Sequence, residues 1–330
     1  MLSQLNDSQR KAVEYCDGAS LVIAGAGSGK TRVLTYKIAW LLEQGMAPWQ
    51  ILALTFTNKA AREMKERIAR LVGEERARYL QMGTFHSVFA RILRNEAEHI
   101  GYNSNFTIYD QSDARSLVKT IIKEMQLDDK VYKPASVADR ISMAKNHLLL
   151  PQVYASSPSA AYDAEQKRPE VKNIYIRYVE RCRQANAMDF DDLLVQTWVL
   201  FQNHEDIRRK YVERFHFVLV DEYQDTNYAQ QAIVYQLTKE RQKVCVVGDD
   251  GITPPRTKYR PLKIPERSNG IVSELFSTTQ SDLDPSREVQ TEQMSRSVNA
   301  WHLGQGCTFS MAFTRLPAKR STSALGRVST

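Results

Sequence analysis

Cysteine is scarce: Cys16, Cys182, Cys245 and Cys307 are the only four in 330 residues, they lie far apart, and no CxxC pair occurs. That spacing argues against a structural zinc site or a disulfide scaffold and fits a reducing compartment. No apolar run approaches the roughly 20 residues needed to cross a bilayer. The N-terminus, Met1-Leu2-Ser3-Gln4-Leu5-Asn6-Asp7, lacks the basic start and apolar stretch of a secretory signal. Internal repeats are absent too. A cytoplasmic protein with no membrane partner is therefore expected. A strong charge bias is also missing from most of the chain. The total is +7, but residues 1–250 hold 34 basic and 32 acidic side chains, whereas 251–330 hold 11 and 6. Net charge alone thus makes no case for nucleic acid.

What is present is an ordinary globular composition, 42% hydrophobic and 25% charged, long enough for about two domains. Short, wholly apolar runs alternate with helical patterns. Ser20–Ala24 precedes a Gly-rich turn and a helix over about 30–43, and Ile51–Phe56 precedes a helix over about 59–72. Phe217–Val220 ends on Asp221-Glu222, and Lys243–Val247 ends on Gly248-Asp249. Strands without polar alternation, interleaved with helices, predict a parallel sheet covered on both faces. Over about 106–188 the strand pattern gives way to helical spacing, as at Leu117, Val118, Ile121, Ile122 and Met125, with a loop expected at Pro151–Ala161. Within it, the aromatic-basic segment Tyr175–Arg181 reads as helix core with solvated charges, or as a duplex-contacting face. After Asp250 the chain turns Ser/Thr-rich, with 20 such residues and little periodicity, so an irregular tail is expected.

The segment Ala24-Gly25-Ala26-Gly27-Ser28-Gly29-Lys30-Thr31 has the form of a Walker A loop between a strand and a helix. Its glycines let backbone N–H groups close around phosphate, and the helix N-terminus adds positive potential. Lys30 can reach the β- and γ-phosphates and Thr31 can ligate Mg²⁺, while Arg32 faces nucleotide or solvent. A Gly-rich turn with an incidental Lys-Thr is the bland alternative. The apolar strand ending in Asp221-Glu222 has the form of Walker B, with Asp221 for the metal and Glu222 for the attacking water. Together the two motifs predict a Mg²⁺-dependent NTPase, and they specify neither a partner nor a substrate.

Further segments carry a family resemblance. Asp221-Glu222-Tyr223-Gln224-Asp225-Thr226-Asn227 resembles motif II of the UvrD/Rep/PcrA helicases of superfamily 1. Leu5-Asn6-x-x-Gln9 resembles their Q motif, Thr55–Ala61 motif Ia, Gly83–Ser87 motif Ib, and Val246–Asp250 the start of motif III, while Asp189–Leu194 matches another family segment. The resemblance covers about residues 1–250. It implies a RecA-like P-loop domain in two parts, 1–105 and 189–250, interrupted by a helical insertion at 106–188 and followed by the tail at 251–330. It also implies ATP-driven 3′ to 5′ movement on single-stranded DNA, unwinding at junctions with duplex, and a role in DNA repair or a related process. Gln9 would read adenine. Phe56, Thr57, Asn58, Thr84 and His86 would face DNA, Phe56 by stacking and the others as neutral donors. Core packing for Phe56, and a capping or core role for His86, are the alternatives.

The resemblance stops after Asp250. Where the family continues with a Gln-Ser-Ile-Tyr-like segment, this chain has Gly251-Ile252-Thr253-Pro254-Pro255. The expectation is a truncated chain without the second motor lobe, its tail an out-of-frame reading or a shortened product. An ATP- and single-stranded-DNA-binding fragment without unwinding activity is the rival reading.

Overall fold

A computed structural model describes residues 1–249, apart from Ala26 and Ser28, and the backbone of residues 302–303, 307–308 and 311–316. The strands are β1 (Ala19–Ala24), β2 (Ile51–Thr55), β3 (Gln81–Thr84), β4 (Thr107–Tyr109), β5 (Ala187–Asp189), β6 (Phe217–Val220), β7 (Val244–Gly248), β8 (His302–Leu303), β9 (Cys307–Thr308) and β10 (Met311–Leu316). The helices are α1 (Asp7–Glu14), α2 (Lys30–Glu43), α3 (Asn58–Val72), α4 (Glu74–Arg78), α5 (Phe85–Asn95), α6 (Gln111–Glu124), α7 (Pro134–Asn146), α8 (Pro151–Ala155), α9 (Pro158–Glu165), α10 (Val171–Gln184), α11 (Phe190–Asn203), α12 (Glu205–Arg214) and α13 (Tyr228–Thr238).

The main sheet is parallel, in the order β10-β1-β7-β6-β2-β3. Alternation along each strand sends side chains to two cores. Ile51, Ala53, Phe217, Leu219, Cys245 and Val247 pack with α1, α2 and α3. Leu52, Leu54, Val218, Val220, Val244 and Val246 pack with α5, α11, α12 and α13. Both faces are buried, which explains why these strands are apolar throughout. The fold class is α/β with a RecA-like parallel sheet.

A third core lies among α6, α7, α8 and α10, built on Val118, Ile121, Ile122, Val137, Ile141, Tyr154, Ile174, Tyr175 and Tyr178. Tyr175 and Tyr178 are fully buried, so the aromatic stripe of α10 is core. At the foot of this helical block, β4 and β5 pair in parallel, three residues each, too short to show in hydropathy. The loop expected at Pro151–Ala161 is instead two short helices. Pro151 and Pro158 occupy first helical positions, where a missing N–H costs nothing, and Ser157 caps α9. In the expected irregular tail, β8 and β9 form an antiparallel pair and β10 lies beside β1. The rest of 251–330 lies outside the described residues. No helix among the described residues is long and apolar enough to cross a membrane.

Buried ion pairs tie these parts together. Lys145 of α7 lies 2.7 Å from both Asp189, the N-cap of α11, and Asp192. Burial and the neighbouring Asp189 push Asp192 up. Buried Glu96, after α5, accepts bonds from Lys210 (2.6 Å) and Tyr211 (2.8 Å) of α12. Burial alone would raise its pKa, but these bonds more than reverse it, holding Glu96 below its ordinary 4.5. A depressed carboxylate pKa gives stability that is present above the unfolded value and lost as pH falls through the folded one. Glu96→Gln is therefore expected to be less stable than wild type at neutral pH, with the gap closing as the pH drops below about 4.5. Urea melts across that range check this, and a gap independent of pH would contradict it.

Candidate functional site

In a parallel α/β sheet, ligands gather at the carboxyl ends of the strands. Here β1 ends at Ala24, β7 at Gly248 and β6 at Val220, and these three strands are neighbours in the sheet. The sheet order thus brings the loop after Ala24 beside Asp249 and beside Asp221-Glu222, which are remote in sequence.

The loop itself relies on glycine. Gly27 (φ 74°) and Gly29 (φ 94°) are left-handed, and Gly29 is the N-cap of α2. A Cβ on Gly29 would sit 2.9 Å from the Gln9 Nε2, so the end of that side chain would have to move, and the left-handed φ itself favours glycine there. Around Gly25 and Gly27, by contrast, a Cβ would meet nothing within 4 Å. Ala24 is buried at the strand end. Ala26 and Ser28 lie outside the described residues.

Lys30 begins α2. Its Nζ hydrogen-bonds Glu222 Oε2 (3.3 Å) and Asp249 Oδ1. Burial alone would lower its pKa, but bonding to Asp249 and Glu222 raises it, so Lys30 is firmly cationic. Asp221 is 2% exposed, and burial together with the Glu222 charge pushes its pKa up to about 6. Glu222 sits in the left-handed region (φ 48°, ψ 48°), a conformation costing about 1–3 kcal/mol in a non-glycine residue and typical of functional turns. Gln224 braces it. Its Nε2 donates to Glu222 Oε2 (2.7 Å), and its Oε1 accepts from the Asp249 N–H (3.2 Å).

This donor set fits Mg·ATP. It offers open glycine backbone, one cation at a helix N-terminus, and a buried carboxylate whose raised pKa a divalent cation would relieve. Thr31 and Asp221 could hold the metal, completed by phosphate oxygens and water as Mg²⁺ prefers. Among the described residues no cluster of three or more His, Cys, Asp or Glu could hold a metal without such help.

Gln9 is not a surface residue. It is 7% exposed and closes a capping box at the start of α1, its Oε1 accepting from the Asn6 N–H (3.2 Å). Lys37 of α2 donates to Ala12 O (2.9 Å) and Tyr15 O, the last carbonyls of α1, and so fixes that helix beside the loop. Arg32 is exposed, donates to Gln4 O (2.7 Å) and lies 5.4 Å from the Tyr36 ring centroid.

The next two strands, β2 and β3, continue the same edge. Phe56, 40% exposed, follows β2 and is not core. Thr57 caps α3 through its Oγ1, which accepts from the Ala60 N–H (3.1 Å), and Asn58 is exposed on the first turn. Thr84 caps α5, its Oγ1 accepting from Ser87 N–H (3.2 Å). Thr84, not His86, is therefore the cap. Among the described residues neither threonine hydroxyl donates a hydrogen bond. His86 is half-buried, and burial lowers its pKa, keeping it neutral. It packs edge-on against Phe190, with centroids 5.6 Å apart and Phe190 52% exposed.

Asp249, Gln224 and Phe190 also stand at this edge, although the motif resemblances that include them assigned them no role. Sheet order brings Asp249 to Lys30, and Phe190 meets His86. A hydrogen-bond chain, Asn227 to Asn146 (2.6 Å) and Asn146 to Asp191 (3.2 Å), joins the segment after Glu222 to the residue after Phe190.

Residues 5–251 match the family model for the UvrD/REP helicase N-terminal domain. The chain belongs to this family. It is similar to the proteins named ATP-dependent DNA helicase PcrA from Bacillus subtilis (46% identity over 250 residues, covering 76% of this chain and 33% of that one), Leuconostoc citreum (45% over 246 residues, 74% and 32%) and Staphylococcus aureus (43% over 250 residues, 76% and 33%). The chain spans about a third of the length of these curated relatives.

Gln224→Ala removes one hydrogen bond to a carboxylate and one from a backbone N–H, so a stability loss of about 1–3 kcal/mol is expected. Urea unfolding with an unchanged m-value checks it. An unchanged midpoint would mean that Gln224 does not brace the turn.

Proposed function

We propose that this chain is the ATP-binding part of an ATP-dependent DNA helicase, coupling ATP hydrolysis to 3′ to 5′ movement on single-stranded DNA and to opening of single-strand/duplex junctions. One observation carries the reading. Lys30 is held against Glu222 and Asp249 at one end of the strand edge, while Phe56, Thr84 and His86 stand at the other. We further divide the chain into a RecA-like domain at 1–105 and 189–250, an insertion at 106–188, and a tail at 251–330. A cytoplasmic location fits this reading.

When bound, Mg·ATP supplies the phosphoryl group whose transfer to water releases the free energy of the cycle. Backbone N–H groups of Gly25, Ala26, Gly27, Ser28 and Gly29 bind the phosphates, and Lys30 offsets their charge. Thr31 and Asp221 orient the metal, and Glu222 accepts the proton of the attacking water. Gln9 presents its amide to adenine, with Arg32 alongside. On the DNA side, the Phe56 ring offers a stacking face to a base. Thr57, Asn58 and Thr84 donate to phosphates, neutral His86 serves as donor or acceptor, and exposed Phe190 adds a second ring.

The second reading, an ATP- and DNA-binding module without unwinding activity, is favoured by the charge inventory of the site. Among the described residues, Lys30 is the cation paired with Glu222 and Asp249, whereas a transition-state arginine is worth about 10³–10⁵ in rate. A polypeptide of these 330 residues is expected to bind Mg·ATP, hydrolyse it slowly and separate no duplex. Nucleotide binding and ATP turnover with and without single-stranded DNA, in wild type and Lys30→Ala, test both readings. Lys30→Ala should weaken nucleotide binding at least about tenfold and abolish DNA-stimulated turnover. Binding indifferent to that change overturns the site. Robust unwinding by the isolated chain overturns the second reading.

A further inference from the structure

Thr55 closes β2 and is 1% exposed, yet its Oγ1 has no hydrogen-bond partner among the described residues. Buried hydroxyls are rarely left in that state, because the group has lost its water without gaining a bond. Valine would fill the same space without the penalty. A threonine retained there calls for a partner present only in another state of the protein.

The sheet shows where the hydroxyl stands. β2 and β6 pair in register, Ile51 with Phe217 through Leu54 with Val220. The Asp221 N–H donates to Leu54 O (2.9 Å), extending the ladder and setting Asp221 beside Thr55. Ile51, Ala53, Phe217 and Leu219 face the core that includes α2. Two residues further along each strand, Thr55 and Asp221 fall on that same face. Neighbouring strands run about 4.8 Å apart, so the orphan hydroxyl adjoins the buried carboxylate on the side of the sheet where α2 presents Lys30 and Thr31.

We propose that Thr55 is a positioning residue for the metal–nucleotide site, its hydroxyl donating to Asp221 and accepting from a water of the Mg²⁺ shell when Mg·ATP is bound. This rests on the nucleotide site proposed above. Mg²⁺ gives up its waters reluctantly, and those it keeps need acceptors in the protein. Thr55 offers one on the strand side of the site. The role is orienting rather than ligating.

Thr55→Val and Thr55→Ser in the full chain provide the test, with binding of a fluorescent ATP analogue titrated against Mg²⁺ and thermal melting in the absence of nucleotide. Thr55→Val is expected to melt at or above the wild-type temperature and to need roughly tenfold more Mg²⁺ for half-maximal binding, the scale of one lost hydrogen bond to a charged group. Thr55→Ser is expected to restore the wild-type Mg²⁺ requirement. A Val variant with the wild-type requirement overturns the proposal. So does one that melts lower, because the hydroxyl would then be bonded in the free chain. If the wild type itself binds no nucleotide with Mg²⁺, the nucleotide site fails first and this inference falls with it.

Discussion

The ion pairs of Lys30 with Glu222 and Asp249 concentrate the constraint on which the site depends. They join the ends of β1, β6 and β7, and they exist only because the sheet places β7 next to β1 and β6 next to β7. Two acidic strand ends converge on one largely buried cation at a helix N-terminus. Asp221, which makes no ion pair among the described residues, is destabilised in its charged form by burial and by the Glu222 charge. Local charge is therefore balanced at Lys30 and unbalanced at Asp221, the polarity that a metal-bound polyphosphate fits.

The same sheet sets a second spatial order. Along the carboxyl edge come the glycine loop, Asp249, Asp221 and Glu222, then Phe56, then Thr84 and His86. The strand ends proposed for nucleotide and those proposed for DNA meet at the β6–β2 boundary, where Asp221 adjoins Thr55 and Phe56. The chain Asn227–Asn146–Asp191 gives the helical block a hydrogen-bonded connection to the turn after Glu222. Both links are contiguous contacts, one a strand ladder and the other a pair of side-chain hydrogen bonds.

Much of this was legible in the sequence, for physical reasons. Strands buried on both faces must be apolar throughout, so Phe217–Val220 and Ile51–Thr55 stand out. A loop that needs left-handed backbone favours glycine, so Gly27 and Gly29 stand out too. Illegible were the features that depend on strand order or on capping. Asp249 looks like any acid after a strand until β7 lies beside β1. Pro151 and Pro158 read as breakers when they start helices. The strands β4 and β5 are too short for a period to show. Strand β10 pairs with β1 from within a segment that has no hydrophobic pattern of its own.

The central claim is that one edge of one sheet serves both ligands. It is tested most directly by a crystal structure of the chain with Mg²⁺, a non-hydrolysable ATP analogue and a short single strand of DNA. The account predicts phosphates against residues 25–31, Mg²⁺ near Thr31 and Asp221, and the strand across Phe56, Thr84 and His86. Nucleotide bound away from Lys30, or DNA on the opposite edge of the sheet, would contradict it.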